Sequence, residues 1–278
     1  MKKSKNFPIG VFDSGVGGLS VLRAIRNLLP GTPVLYLADQ YHVPYGTRTL
    51  EEVRQFSKAV TEFLLLQGVK LIVVACNTAS VAALKYLREA FPGVPFVGME
   101  PAVKPAAEQT HSNVVGVLAT YATFQGEMYN AVVDRFAQGV TILQDHCPGL
   151  VSEIEKGNLS GIETEKILRE ALEPMLAQGV DTVVMGCTHY PFVIPLIQKI
   201  TGPAIKVIDP APAIARQVQR LLNTHEWLPN NGDRATVTFI TTGKAQEFKK
   251  MLPSFSAEPP LVHQASWAGN KLSLVTKK

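Results

Sequence analysis

Cys76 and Cys187 each stand where a short apolar run gives way to residues suited to open a helix, and the segments leading to them repeat one another. Glu62-Phe-Leu-Leu-Leu-Gln-Gly-Val-Lys-Leu-Ile-Val-Val-Ala-Cys76 aligns without a gap on Glu173-Pro-Met-Leu-Ala-Gln-Gly-Val-Asp-Thr-Val-Val-Met-Gly-Cys187, at a constant offset of 111 residues. Glu62/Glu173, Leu65/Leu176, Gln67/Gln178, Gly68/Gly179, Val69/Val180, Val73/Val184 and the two cysteines are identical pairs. A free cysteine taken alone is most often a small buried hydrophobe. Duplication at two equivalent strand ends asks for another reason. Two similar halves facing each other would set one thiol on each side of a shared ligand. Inversion at a carbon by proton exchange needs such opposed acid/base groups.

The neighbours of the thiols fit that chemistry. Cys76-Asn77-Thr78-Ala79-Ser80 leads into the helical stretch Val81–Arg88, and Cys187-Thr188-His189-Tyr190-Pro191 into a second helix with Pro191 in its first turn. The amides and dipole of a helix N-terminus favour negative charge, so both thiols are expected to have lowered pKa values. The same amides, with Asn77, Thr78 and Thr188, would hold a carboxylate. His189, two residues from Cys187, is placed to assist proton transfer, whereas His42, His111, His146, His225 and His263 read as structural. Asp13 and Ser14 open the turn Asp13-Ser-Gly-Val-Gly-Gly18, within reach of a ligand ammonium or a thiol. Its glycines read as a tight turn needing positive φ. They match neither GxGxxG nor GxxxxGK[ST]. Pro44-Tyr45-Gly46 is a loop in which Tyr45 and the Gly46 amide would contact a ligand, and Thr120 and Thr123 serve equally as contacts or as helix caps. Cys147 has no duplicated partner and reads as structural. With no CxxC and no HExxH, a zinc site is not indicated.

These residues need a frame that brings them to one edge. Ile9–Phe12, Val34–Ala38, Leu71–Ala75, Phe96–Gly98, Val114–Ala119, Val140–Leu143, Thr182–Met185 and Lys206–Ile208 are short continuous apolar runs, the pattern of parallel strands covered on both faces. Helical periodicity lies between them: Val53, Phe56, Val60, Phe63 and Leu64 in one stretch, and Ile167, Leu168, Ala171, Leu172, Met175 and Leu176 in the matching one, where Pro174 should introduce a kink. Alternating strands and helices make an α/β protein with mainly parallel sheets. Ligands of such sheets bind beyond the carboxyl ends of the strands, where Asp13, Asp39, Cys76, Glu100, Thr120, Cys187 and Asp209 stand. After the polar loop Asn230–Arg234, Ala235–Thr242 reads as a further strand and Lys244–Met251 as a helix. The segment from Ser254 reads as a loosely packed tail. Domain borders near Gly98 and Asp209 divide the chain into residues 1–97 plus 209–278, carrying Cys76, and residues 98–208, carrying Cys187.

Composition narrows the function classes. The 278 residues are 46% hydrophobic and 18% charged, enough for a sizeable core. The net charge of +4 is carried by Lys2, Lys3, Lys5, Lys271, Lys277 and Lys278; without them 21 basic residues face 23 acidic ones. A near-neutral body has no phosphate-tracking stripe, so nucleic acid is not an expected partner. No apolar run reaches the ~18 residues of a membrane span, and the first ten residues lack the apolar core of a signal peptide. Three cysteines without an export signal point to free thiols in a reducing compartment.

Gly10-Val-Phe-Asp-Ser-Gly-Val-Gly-Gly-Leu-Ser20, Asp39 through Pro44-Tyr45-Gly46, Ala75-Cys-Asn-Thr-Ala79, Gly186-Cys-Thr-His-Tyr-Pro191 and Ile208-Asp-Pro210 together resemble the motifs of the glutamate racemase family, the cofactor-independent amino-acid racemases. The resemblance spans nearly the whole chain. It implies two pseudo-symmetric flavodoxin-like domains with the active site in the cleft between them. It also implies cofactor-free interconversion of L- and D-glutamate for peptidoglycan synthesis, by a homodimer in the bacterial cytoplasm. By motif, Cys76 is similar to the base acting on the D-isomer and Cys187 to the base acting on the L-isomer, assisted by Asp13 and His189. Substrate contacts implied by the resemblance are Asp13, Ser14, Tyr45, Gly46, Asn77, Thr78, Thr120, Thr123, Thr188 and His189. The family's auxiliary glutamate follows a Cys-Pro pair, which points to Glu155; Ser152 stands where a proline is common, so Glu153 competes. Aspartate racemisation, a one-cysteine thiol hydrolase and a redox-sensing amino-acid-binding module stay open as alternatives.

Overall fold

The computed structural model describes residues 7–100, 102–229 and 234–275. Lys2, Lys3, Lys5, Lys277, Lys278 and the loop residues 230–233 lie outside the described residues. Every apolar run named above forms a strand: β1 (Ile9–Asp13), β2 (Val34–Ala38), β3 (Ile72–Val74), β4 (Phe96–Gly98), β5 (Val114–Leu118), β6 (Thr141–Asp145), β7 (Thr182–Met185) and β8 (Lys206–Ile208). Three more follow, β9 (Val237–Thr241), β10 (Leu261–Ala268) and β11 (Lys271–Leu274).

Two sheets result. One has the order β11-β10-β9-β2-β1-β3-β4 and the other β6-β5-β7-β8. All pairings are parallel except that of β10 with β11. The stretch β2-β1-β3-β4 and the whole second sheet share one topology, in which the second strand flanks the first and the third follows on its other side. This is the doubly wound flavodoxin-like order, whose ligand site lies past the carboxyl ends where the chain switches direction, between the first and third strands. In the first sheet those ends deliver Asp13-Ser14 and Cys76; in the second they deliver Thr120 and Cys187. The duplicated segment is therefore the third strand of each unit, β3 and β7, with the helix before it.

The repeat extends to backbone detail. The helix Leu50–Leu66 ends with Gly68 N–H donating to the Leu65 carbonyl at 3.0 Å and Val69 N–H to the Leu64 carbonyl at 3.3 Å. The helix Ile162–Ala177, which runs through Pro174, ends with Gly179 N–H on Leu176 at 3.0 Å and Val180 N–H on Met175 at 3.2 Å. Both are Schellman caps, and both glycines sit at φ +81°. A side chain in that left-handed conformation would cost about 1–2 kcal/mol, which accounts for glycine at both places.

One apolar cluster binds the two sheets: Val11, Val73, Met99 and Phe239 belong to the same contiguous core as Leu118, Ile154, Leu168, Met185 and Ile197. The two carboxyl edges are thus held face to face by buried contacts.

The segment from Ser254 is not a loose tail. β10 pairs with β9 through Leu261–Gln264, and β11 closes the edge of the sheet. Arg26, 2% exposed, anchors the approach: its guanidinium donates to the carbonyls of Pro30, Thr32 and Ala235 and pairs with Glu258 at 3.1 Å, where Arg234 also binds. The strand signal is faint in the sequence because only Ala265 of β10 and Leu272 of β11 are buried. Order here comes from the backbone ladder and a distant arginine rather than from apolar periodicity.

Candidate active site

Cys76 is the N-cap of the helix Asn77–Ala90, its Sγ accepting from the Ala79 amide at 3.5 Å. Cys187 differs locally. It precedes a turn and a short 3₁₀ segment, Tyr190–Val193, before the helix Ile194–Thr201 begins, so it has no helical N-terminus of its own. His189 Nδ1 lies 3.8 Å from Cys187 Sγ, and His189 Nε2 is 2.6 Å from Glu155 Oε1. Both thiols are 5% exposed and unpaired, and both line one cavity. Ser14, Tyr45, Gly46, Asn77, Thr78, Thr120, Thr188 and His189 line it with them, together with Pro44 and Val151. Its open volume is about 10 Å³. Larger hollows of about 570, 420 and 670 Å³ open elsewhere, but none is lined by either cysteine. Among the described residues no group of three or more His, Cys, Asp or Glu side chains could hold a metal ion.

Asp13 and Thr123, expected as direct contacts, stand one step behind the cavity wall. Asp13 Oδ2 accepts from the Gly15 amide at 2.9 Å and Oδ1 from Thr188 Oγ1 at 3.2 Å. Thr123 Oγ1 is 2.9 Å from Thr120 Oγ1, itself 2.9 Å from Thr78 Oγ1, so three hydroxyls form a chain from one sheet edge to the other. Glu155 Oε1 also accepts from the Val16 amide at 2.7 Å, and Oε2 lies 3.4 Å from Gln40 Nε2. Glu153 instead faces outward to Lys156 and Asn158. Of the two glutamates, Glu155 is the one bonded to the histidine. Asn77 is buried in the wall, and neither its Oδ1 nor its Nδ2 has a hydrogen-bond partner among the described residues. A buried carboxamide left unsatisfied costs about 1–3 kcal/mol per group. It therefore points to a ligand carrying both donors and acceptors.

The glycines of the 15–18 turn serve a purpose other than positive φ, which none of them has. A Cβ on Gly15 would overlap the Glu155 carboxylate, one on Gly17 the His189 ring, and one on Gly18 would come within 2.7 Å of Asp13 Cβ. At Gly15 and Gly17 the absent side chains admit the second sheet's acid and imidazole, and at Gly18 the absence makes room for Asp13.

The family model for Asp/Glu/hydantoin racemases matches residues 9–218. The chain belongs to the Asp/Glu/hydantoin racemase family. It is 50% identical over 256 residues to a protein of Ectopseudomonas mendocina named glutamate racemase, covering 92% of this chain and 97% of that one. Among solved structures, glutamate racemase from Thermus thermophilus in complex with β-chloro-D-alanine aligns with a TM-score of 0.81 at 36% identity, over 95% of this chain and 98% of that one. The Francisella tularensis glutamate racemase in complex with D-glutamate has a TM-score of 0.81 at 29% identity, covering 94% and 98% respectively.

At Cys76 the electrostatics of this fold run opposite to the expected lowering. Burial pushes the Cys76 thiol well above its ordinary value, and the nearby Asp13 charge adds to that; the Ala79 and Ser14 amides oppose the shift but lose. Cys76 is held as the thiol. Burial likewise raises Asp13, against the charge of His189 and the Gly15 and Gly18 amides. Burial disfavours an imidazolium at His189, yet its bonds to Cys187 and Glu155 outweigh that and raise its pKa well above 6.5. For Glu155, desolvation acts upward but is overcome by His189, the Val16 amide and Gln40, leaving the carboxyl below its ordinary value. The raised histidine stabilises the fold fully below about pH 6.5 and stops doing so as pH rises through its folded pKa. The lowered glutamate stabilises above about pH 4.5 and loses that as pH falls through its folded pKa. Glu155→Gln should therefore lower the melting temperature most between about pH 4.5 and 6.5, the penalty shrinking on either side. A melting difference that is flat from pH 4 to pH 9 would contradict this ion pair.

Val16, Gln40 and Val151 escaped the sequence reading. Val16 contributes only its amide, Gln40 lies within the 39–46 motif but has no residue type that marks it as a site group, and Val151 reads as one more apolar residue at a helix start.

Proposed function

We propose that this protein interconverts L- and D-glutamate by exchanging the α-proton between Cys76 and Cys187, without a cofactor. The observation that carries the proposal is that one cavity has a thiol from each of two topologically equivalent strand ends. The glutamate assignment is supported by close likeness to proteins named glutamate racemase, one of them solved with D-glutamate.

In this reading Cys187 takes the α-proton of L-glutamate while Cys76, held as a thiol, delivers one to the opposite face; D-glutamate runs the roles in reverse. His189 holds its proton against Cys187 with Glu155 behind it, so a proton moving at that sulfur has an imidazole as its immediate neighbour. Asp13 bears electrostatically on the Cys76 side. The substrate carboxylates and ammonium are received by Asn77, the Ser14, Tyr45 and Gly46 turns, and the Thr78–Thr120–Thr123 and Thr188 hydroxyls. A positioned acid or base contributes ~10²–10⁴-fold, and donors aimed at charge developing on the substrate carboxylate supply more. A 10 Å³ cavity admits about one water molecule, so glutamate enters only when the two sheet edges part and contacts such as Glu155 to the Val16 amide release. The two lobes that part in this proposal are the described residues of 1–97 plus 209–278 and those of 98–208.

D-Glutamate is a peptidoglycan constituent, which places the proposed role in the cytoplasm of a bacterium, with the homodimer of the family as the working assembly. Among the described residues no helix is long and apolar enough to cross a membrane. The direct test is circular dichroism of L-glutamate in deuterated water with purified protein. Ellipticity should decay to zero with deuterium appearing at the α-carbon. A signal that stays constant would reject racemisation and favour a hydrolase or binding module.

A further inference from the structure

Asp39, at the carboxyl end of β2, is fully buried and accepts four hydrogen bonds. Its Oδ2 takes the Tyr45 hydroxyl at 2.7 Å and lies 2.9 Å from His42 Nδ1. Its Oδ1 takes the Thr242 hydroxyl and the Trp267 indole N–H, both at 2.7 Å. These donors come from three separate stretches of chain: the loop after β2, the turn after β9, and β10. His42 is sandwiched into the same frame, stacked on Phe56 with centroids 3.8 Å apart and edge-on to Trp267 at 4.8 Å.

We infer that Asp39 is a positioning residue for substrate binding, fixing the Tyr45–Gly46 turn in the cavity wall and tying the β10 strand to the active site through Trp267. Tyr45 lines the cavity, yet its hydroxyl is spent on Asp39, so what it offers a ligand is its backbone and ring. The turn has little slack on its far side. A Cβ on Gly46 would come within 2.8 Å of Thr120 Cβ, so the turn is pressed against the opposing sheet edge. A Tyr45 freed from Asp39 would move the Gly46 amide relative to Thr78 and Thr120, whose hydroxyls are 2.9 Å apart. The anchor and the substrate wall are thus opposite ends of one short loop.

The substitution pair Asp39→Ala and Asp39→Asn separates this role from mere packing. An asparagine can satisfy all four partners, its oxygen accepting from Thr242 and the Trp267 indole while its NH₂ donates to the Tyr45 hydroxyl oxygen and to His42 Nδ1 in the Nε2–H tautomer. Alanine leaves Tyr45 with no partner at that position. The inference rests on the racemase reading, so wild-type turnover of glutamate is established first; its failure would sink that reading, whereas the variants below address Asp39 alone.

Steady-state racemisation from both enantiomers is measured for Asp39→Ala, Asp39→Asn and Tyr45→Phe, each with a melting curve. Asp39→Ala should raise KM for both enantiomers about tenfold while kcat falls less than about threefold. Tyr45→Phe should shift KM in the same direction. Asp39→Asn should hold KM within about threefold of wild type, because the turn keeps its bond. An unchanged KM in Tyr45→Phe, or an Asp39→Asn KM raised as far as that of Asp39→Ala, overturns the inference. Tyr45→Phe keeps the test decisive if Asp39→Ala prevents folding.

Discussion

Cys187→Ala and Cys76→Ala should each abolish racemisation of glutamate in both directions, a loss of at least about 10²–10⁴-fold per missing acid/base group. A two-base exchange uses one sulfur to take the proton and the other to give it, so either removal breaks every turnover. The two variants differ in what survives. Cys187→Ala keeps Cys76 and so retains slow solvent exchange of the α-proton of D-glutamate, while Cys76→Ala retains it for L-glutamate. Polarimetric detection of racemisation, with nuclear magnetic resonance of deuterium wash-in for each enantiomer, distinguishes these outcomes. A covalent hydrolase would lose everything with one cysteine and nothing with the other. Turnover at the wild-type rate in either variant would exclude the mechanism.

Gly17→Ala should reduce racemisation about 100-fold, with a melting temperature lowered no further than by Glu155→Gln. Its backbone is not left-handed, so alanine meets no conformational strain, and the methyl group acts only through space. That space is occupied by the imidazole of His189. Displacing the ring disturbs both its 3.8 Å approach to Cys187 and its 2.6 Å bond to Glu155. Misplacing a catalytic group by about 1 Å costs on the order of 10²-fold. Gly68→Ala is the matched control. There φ is +81° and nothing lies within 4 Å of the added methyl, so stability falls by about 1–2 kcal/mol while kcat holds. If Gly17→Ala instead melts early and keeps its kcat, the turn is structural and the close-approach reading fails.

The cysteine pair, His189 and the threonines were legible as chemistry because they follow strands whose apolar runs are strong and short. Glu155 was narrowed to two neighbours by motif, and its side chain's direction separates it from Glu153: one points to His189 and the Val16 amide, the other to Lys156 and Asn158. In the sequence Asp39 stands at a strand end and opens the motif running to Gly46, but neither position gives it a role. Three of its four donors, His42, Thr242 and Trp267, belong to loops and to a mostly exposed strand that carry no periodic signal. The thiol of Cys76 was expected to be acidified by its helix, a local effect that is present in the Ala79 amide. Desolvation by burial outweighs it.

Local sequence determined the strands, the helices between them, the paired Schellman caps and the two thiols, since each depends on periodicity or backbone preference within a few residues. Only the tertiary structure decided that the thiols share one cavity, that Gly15 and Gly17 exist to admit Glu155 and His189, and that the last strands of the chain pack behind the cavity wall. Those are contacts between residues far apart in the chain, and they arise from the burial of two sheet edges against each other, which no local pattern encodes.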